Sequence, residues 1–260
     1  MIPWFDASFS VGPLHLHAFG LLAAVGLVLS VNLMRLRGTA LKLDNDQVFK
    51  MIGTMTITAI VVAHLYDVFA YPTAEPLSLA LIVNPTRGLS SFGGFMGATI
   101  GAVVWCRLNH EPLMPYADAC AYGFPGGWFL ARLGCFSIHD HPGAETTFFL
   151  GVQYPWGTRH DLGLYEALWA LAVFFVFEWM SVKDKQPRPV GAYLSVLLLT
   201  YAPARFLLDF LRATDTTGAD PRYLGLTGAQ YLCFVLFATG LFVARWTRAN
   251  QKRSGAWAAK

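Results

Sequence analysis

Arg205, Asp209 and Arg212 fall at i, i+4 and i+7 in the run TYAPARFLLDFLRATD, so a helix through them sets a carboxylate between two guanidinium groups on one face. Charge in so apolar a run is costly inside a bilayer and marks a candidate functional site. A planar guanidinium forks onto phosphate oxygens and keeps its charge when desolvated, so the chemistry expected here is the holding of a phosphate, with a phospholipid headgroup as the anion at that depth. A structural ion-pair ladder, with Arg212 reaching to the surface, is the bland alternative. Arg132 adds a third such arginine in GGWFLARLGCF. Directly after it come Cys135, His139, Asp140 and His141, and further on Arg159-His160-Asp161 and Tyr165-Glu166. These groups are expected to converge on one polar site beside the arginines.

His139, Asp140, His141, His160 and Asp161 include a His-x-His pair, which can supply two zinc ligands with a third from elsewhere. Their spacing is not that of a named metal motif, and no metal is assigned. Acid–base chemistry needs only one of them.

The elements that must position these groups follow from composition. The chain has 260 residues, 55% hydrophobic and 13% charged, which is too little charge to solvate the outside of a soluble globule and the wrong balance for a disordered chain. The sequence therefore predicts an all-α polytopic membrane helix bundle. About seven apolar stretches have spanning length, near 15–36, 48–70, 92–108, 116–135, 164–182, 190–211 and 226–247. A net charge of +3 is too mild for nucleic-acid binding. Four cysteines without a CxxC spacing suggest neither a disulfide framework nor a cysteine zinc site. Gly93, Gly94, Gly97 and Gly101 give the third stretch a small-residue face for helix packing.

Lys and Arg remain on the cytoplasmic side of short loops, and with the N-terminus outside they gather on one side: Arg35, Arg37, Lys42, Lys50, Arg107, Lys183 and Arg245 among them. Only Arg87, Arg159 and Arg222 fall in the outer loops, so the expected topology is N-out/C-in. Residues 1–246 are read as a single transmembrane catalytic domain with outer loops 71–91 and 136–163. Residues 247–260 are read as a basic cytoplasmic tail lying disordered against anionic headgroups. The first stretch lacks a basic leader and is expected to persist as a helix.

Six blocks, in order along nearly the whole chain, resemble the prolipoprotein diacylglyceryl transferase family. Ser10 to Gly20, with His17, is similar to S-x-G-P-x-x-x-H-x-Y-G, and Ser91-Phe-Gly-Gly94 to S-F-H-G-G. Arg132 to Asp140 is similar to the signature G-R-x-G-N-F-x-N-G-E. His160 with Leu164-Tyr165-Glu166 resembles H-P-x-Q-L-Y-E, Arg205 to Arg212 resembles R-x-x-x-E-x-x-R, and Gly225 to Gln230 resembles the start of the last helix. The family's histidine, tyrosine and asparagine fall on Phe92, Phe19 and Cys135, and its two acids are shortened to Asp140 and Asp209.

The resemblance implies a multi-pass enzyme of the bacterial cytoplasmic (inner) membrane. It would transfer the sn-1,2-diacylglyceryl group of phosphatidylglycerol to the lipobox cysteine thiol of a prolipoprotein signal peptide, releasing glycerol phosphate and needing no soluble cofactor. Arg132 and Arg205 suit the leaving phosphate, together with Arg212, Asp209, His17, His160, Glu166 and Cys135 as binding residues. Asp140 is the first candidate for the base, with His139 and His141 beside it. Another lipid-phosphoester enzyme on the same scaffold, metal-assisted or not, and a non-catalytic lipid or anion transporter are the competing readings.

Overall fold

A computed structural model describes residues 1–5, 7–11, 14–70, 78–84, 88–183, 188–215 and 220–257. In chain order the elements are β1 (Ile2–Pro3), β2 (Ser8–Val11), β3 (Leu14–His17), α1 (Ala18–Ala40), α2 (Asn45–Ala70), α3 (Leu79–Ile82), α4 (Ser91–Leu108) and α5 (Leu113–Ile138). There follow β4 (Pro142–Glu145), β5 (Val152–Tyr154), β6 (Gly157–Asp161), α6 (Leu162–Lys183), α7 (Ala192–Leu208), a 3-10 turn (Asp209–Leu211), β7 (Arg222–Tyr223), β8 (Leu226–Thr227) and α8 (Gly228–Trp257). Arg87 and the rest of 71–77 and 85–87 in the first predicted loop lie outside the described residues.

Among the described residues six helices are long and apolar enough to cross a membrane: α1, α2, α4, α6, α7 and α8. α5, the fourth expected span, is a 26-residue helix outside that set. Asp118, Arg132, Pro125 and several glycines and aromatics lower its apolar character, although its length suffices to span. α1 turns Leu21, Leu27 and Val28 outward, each more than half exposed, as a lipid-facing helix must. The chain is thus an all-α multi-pass membrane bundle. The expected disordered tail is corrected in part: α8 continues to Trp257, through a segment in which the helix formers Arg, Ala, Gln and Lys outnumber Asn250, Ser254 and Gly255. Thr247 is buried there and donates to the carbonyl of Val190 at 3.1 Å.

The chain divides into two compact units, Leu43–Ala117 and the remainder. In the unit 43–117, α2 packs on α4 along Gly93, Gly97 and Gly101, all buried. A methyl group added at Gly97 would strike the carbonyl oxygen of Thr58, so the small-residue face is what brings the backbones together. Ser90 caps α4, its Oγ accepting from the amide of Gly93. His64 Nε2 bonds the carbonyl of Ile82 at 2.7 Å and ties down α3. Phe92 lies against Tyr66, ring centroids 5.1 Å apart.

In the larger unit α1 approaches α5 closely: a Cβ at Gly127 would sit 2.8 Å from the carbonyl oxygen of Gly26. The core is built from Ala121 and Tyr122 of α5, Val173 and Phe177 of α6, and Tyr193 and Leu197 of α7. At one end Asp118 clasps three elements. Its Oδ2 accepts from Arg37 Nε and Nη2 at 3.0 and 2.7 Å, and its Oδ1 accepts the amides of Tyr193 and Leu194, which open α7, at 2.9 and 3.1 Å. Arg37, counted from the sequence among the cytoplasmic-side charges, is 4% exposed and also donates to the carbonyl of Arg188 at 2.8 Å. At the other end of α5 the predicted loop 136–163 supplies three strands of a four-stranded sheet of order β1-β5-β6-β4, the fourth coming from the N-terminus. β1 pairs parallel with β5, while β6 pairs antiparallel with both β5 and β4.

Candidate functional site

Arg132 lies near the end of α5, 9% exposed, with its guanidinium 4.4 Å over the ring of Trp128 one turn earlier. The expected helical stripe at 205–212 is realised with one change: α7 ends at Leu208 and tightens into the 3-10 turn that begins at Asp209, and the backbone is extended at Arg212. Asp209 Oδ1 still reaches both neighbours, Arg205 Nη1 at 3.0 Å and Arg212 Nε at 3.2 Å. Its other oxygen accepts from Thr227 Oγ1. Gln230 then fixes the start of α8, accepting from the Thr227 amide at 3.0 Å and donating to the carbonyl of Phe206 at 3.1 Å. Thr227, Gln230 and Asp209 are wholly buried or nearly so.

Glu166 joins the two arginine sources. Its Oε2 lies 2.8 Å from Arg132 Nε and its Oε1 lies 3.7 Å from Arg205 Nη1. Glu166 and Asp209, expected among the binding residues, face the arginines. Arg212 also pairs with Asp220, a partner the periodicity could not show. The ion pairs are close in distance but loose in direction. Arg132 Nε, Arg205 Nη1 and Arg212 Nε are buried and make no aligned hydrogen bond among the described residues, nor do Glu166 Oε2 and Asp209 Oδ1. These three guanidinium nitrogens are therefore held near countercharge without their hydrogen-bonding capacity being met among the described residues.

The segment after Arg132 divides into two histidine pairs. Arg132 Nη1 faces His141 Nε2 at 3.2 Å and Cys135 Sγ at 3.7 Å, while His141 Nδ1 pairs with the carboxylate of Asp140. Asp140 is exposed and connects to Arg132 through His141. His139, in contrast, is buried, with a left-handed backbone at φ 51° and Nδ1 3.1 Å from Asp161 Oδ2. Tyr154 donates to the same oxygen at 2.8 Å and the amide of Leu164 to the other at 3.0 Å. The rings of Phe5, Phe136 and Trp4 surround His139, and its Nε2 is sealed without a partner among the described residues.

His160 bonds Tyr165 Oη at 2.8 Å, and burial lowers its pKa below the ordinary histidine value. It stands beside Gly143, whose backbone bridges to Arg212. Arg159, on the same strand, is buried and pairs with Asp215 on the segment that follows Arg212. The hydrogen bonds from Arg159 hold the Asp215 carboxyl below the usual range. His17 lines an apolar cavity of 320 Å³ with Trp4, Phe5, Phe19, Ser137 and Ile138. The five-residue His/Asp set is not brought to one point: His139 faces Asp161, His160 faces Tyr165, and His141 faces Asp140. A different triad has metal-ligand proximity, the donor atoms of Cys135, Asp140 and His141 all lying within 4.8 Å of one another. Among all four cysteines no disulfide forms.

With this arrangement in hand, a family model described as prolipoprotein diacylglyceryl transferase matches residues 6–246. Similar proteins named phosphatidylglycerol–prolipoprotein diacylglyceryl transferase include that of Aromatoleum aromaticum, 28% identical over 95% of this chain and 97% of its own. That of Oleidesulfovibrio alaskensis is 28% identical over 97% of each chain. The Chromohalobacter salexigens protein is 29% identical over 92% of this chain and 91% of its own.

Proposed function

This chain belongs to the prolipoprotein diacylglyceryl transferase family, and from that premise we propose that it moves the sn-1,2-diacylglyceryl group of phosphatidylglycerol onto the lipobox cysteine thiol of a prolipoprotein, releasing glycerol phosphate. It is a transferase of the membrane. The observation that carries the proposal is the set of three arginines, Arg132, Arg205 and Arg212, gathered around two buried carboxylates, with one buried nitrogen of each left without an aligned hydrogen bond among the described residues. In the displacement a C–S bond forms at the glycerol carbon, the C–O bond to phosphate breaks, and the electron pair leaves on the phosphate oxygen. Arg132 and Arg205 stabilise that developing charge where low dielectric makes each forked contact strong. Glu166 and Asp209 hold the two arginines apart from solvent and fix their approach.

The proton of the incoming thiol goes to the Asp140–His141 pair, the accessible base beside Arg132. Neither Phe19 nor Phe92 offers a proton acceptor, and His139 is enclosed, so this pair is the base that the reading selects. With N-out/C-in topology in the bacterial inner membrane, the β4–β6 layer faces the exported signal peptide.

The test is incubation of the purified protein with phosphatidylglycerol labelled in both glycerols and a lipobox peptide. Alkylated peptide and free glycerol phosphate should appear in equal amounts. Glycerol phosphate without alkylated peptide would point to a lipid-phosphoester hydrolase instead, and lipid movement across a vesicle without either product to a transporter.

A further inference from the structure

The β7–β8 hairpin ends in a tip that contact with water explains poorly. Its register, Arg222 opposite Thr227 and Tyr223 opposite Leu226, leaves the two-residue loop Leu224-Gly225, and both loop residues have positive φ, 50° and 83°. A loop of that kind ordinarily begins with Asn, Asp or Gly, which tolerate the left-handed region. Among the described residues the other non-glycine positions of positive φ are Lys42, His110 and His139, all polar. Leu224 is instead aliphatic and 99% exposed, with Tyr223 beside it 64% exposed. A single exposed leucine is ordinary. Here, however, the residue carries a backbone cost and has almost no protein surface to pack on, so what offsets that cost lies outside the chain.

The place of the hairpin says what covers it. α7 with its 3-10 turn, Ala192–Leu211, is a 20-residue span, about 30 Å long and so matched to the hydrocarbon core of a bilayer. The hairpin lies between the end of that span and Gly228, where the neighbouring span α8 begins, so it starts at the hydrocarbon boundary. Tyr231, in the first turn of α8, donates from its hydroxyl to the Tyr223 carbonyl at 2.8 Å, which ties the tip to that level. The adjoining turns of α7 and α8 expose Leu207, Phe210, Phe234 and Val235, and the tip extends that lipid-facing surface. A tyrosine at headgroup level beside an aliphatic side chain is the make-up of an interfacial anchor. We propose that Tyr223 and Leu224 insert into the leaflet at this end of α7 and α8, which makes the β7–β8 hairpin a lipid anchor. Arg222 Nη2 donates to the carbonyl of Asp209 at 3.3 Å and Thr227 Oγ1 donates to its carboxylate. Both strands of the anchor are thus bonded to the residue that pairs with Arg205 and Arg212, and the anchor stands whether or not the transfer reaction does.

The test is a nitroxide label on Leu224→Cys in the full-length protein, held in phosphatidylcholine nanodiscs. The unaltered protein is the blank for its native cysteines, and a label on Lys42→Cys, at an exposed charged position, is the water reference. The ratio of collisions with oxygen, which concentrates in lipid, to collisions with a water-soluble nickel chelate should be several-fold higher for the Leu224→Cys label than for the Lys42→Cys label. Leu224→Asn suits the loop better and removes the apolar tip, so it should lower the same ratio for a label on Tyr223→Cys. Circular dichroism verifies that each variant keeps its helices. Equal ratios for the two single labels would put the tip in water. A Leu224→Cys label shielded from both reagents would put it against protein, such as a second copy of the chain. A Tyr223→Cys label indifferent to Leu224→Asn would leave the leucine without a part in anchoring. Each of these three results overturns the proposal.

Discussion

The two ends of α5 carry buried arginine–carboxylate chemistry of opposite kinds. At Asp118 every charge is met: both oxygens of the carboxylate accept two hydrogen bonds each, and Arg37 has two further carbonyls within reach. At Arg132, fourteen residues and about 21 Å further along the helix, Nη1 bonds His141, but Nε and the nearby Glu166 Oε2 are close without an aligned hydrogen bond. A buried pair that is fully satisfied holds elements together, while one left short of partners is prepared for a ligand. Asp118 lies where the start of α7 presents free amides, and Arg132 lies where α7 has unwound into its 3-10 turn.

The largest effect should come from breaking the satisfied end. Asp118→Ala leaves Arg37 buried and unpaired and removes the cap from α7, a loss of about 3–5 kcal/mol, read as a fall in the denaturant midpoint of the purified protein. An unchanged midpoint would erase the distinction between the two ends. Next, Arg205→Lys keeps the charge and loses the planar fork. It should lower transfer more than about a hundredfold, equivalent to about 3 kcal/mol in the barrier, while the denaturant midpoint stays near that of the unaltered protein. A midpoint loss as large as that of Asp118→Ala would make the arginine cluster structural as well.

The smallest effect concerns pH. Because burial depresses the His160 pKa, the unfolded chain binds more protons than the folded one once pH falls below the ordinary histidine value of about 6.5. Stability should therefore decline as pH is lowered from 7 through the His160 pKa, and His160→Gln should flatten that slope. Asp215 acts in a lower window, its contribution being lost only as pH falls through its depressed carboxyl pKa. A melting temperature with the same slope in both proteins would show that His160 does not sense pH.

Composition and one-dimensional periodicity determined the membrane bundle and the approximate course of its helices, the last running ten residues beyond its expected end, and singled out the arginines at 132, 205 and 212 as charges costly in a bilayer. Gly93, Gly97 and Gly101 were legible as a packing face for the same reason: spacing along one helix is a property of that helix alone. The family blocks added order, and with it the chemistry expected of the arginines. What the sequence could not contain was pairing across elements. Glu166 serves Arg132 and Arg205 at once, Arg37 turns inward to Asp118, and His139 faces Asp161 while its neighbour faces Asp140. Each of these is fixed by where helix ends meet and which unpaired backbone and side-chain groups a dry interior must satisfy. Those are conditions on space rather than on spacing, and only the tertiary structure could decide them.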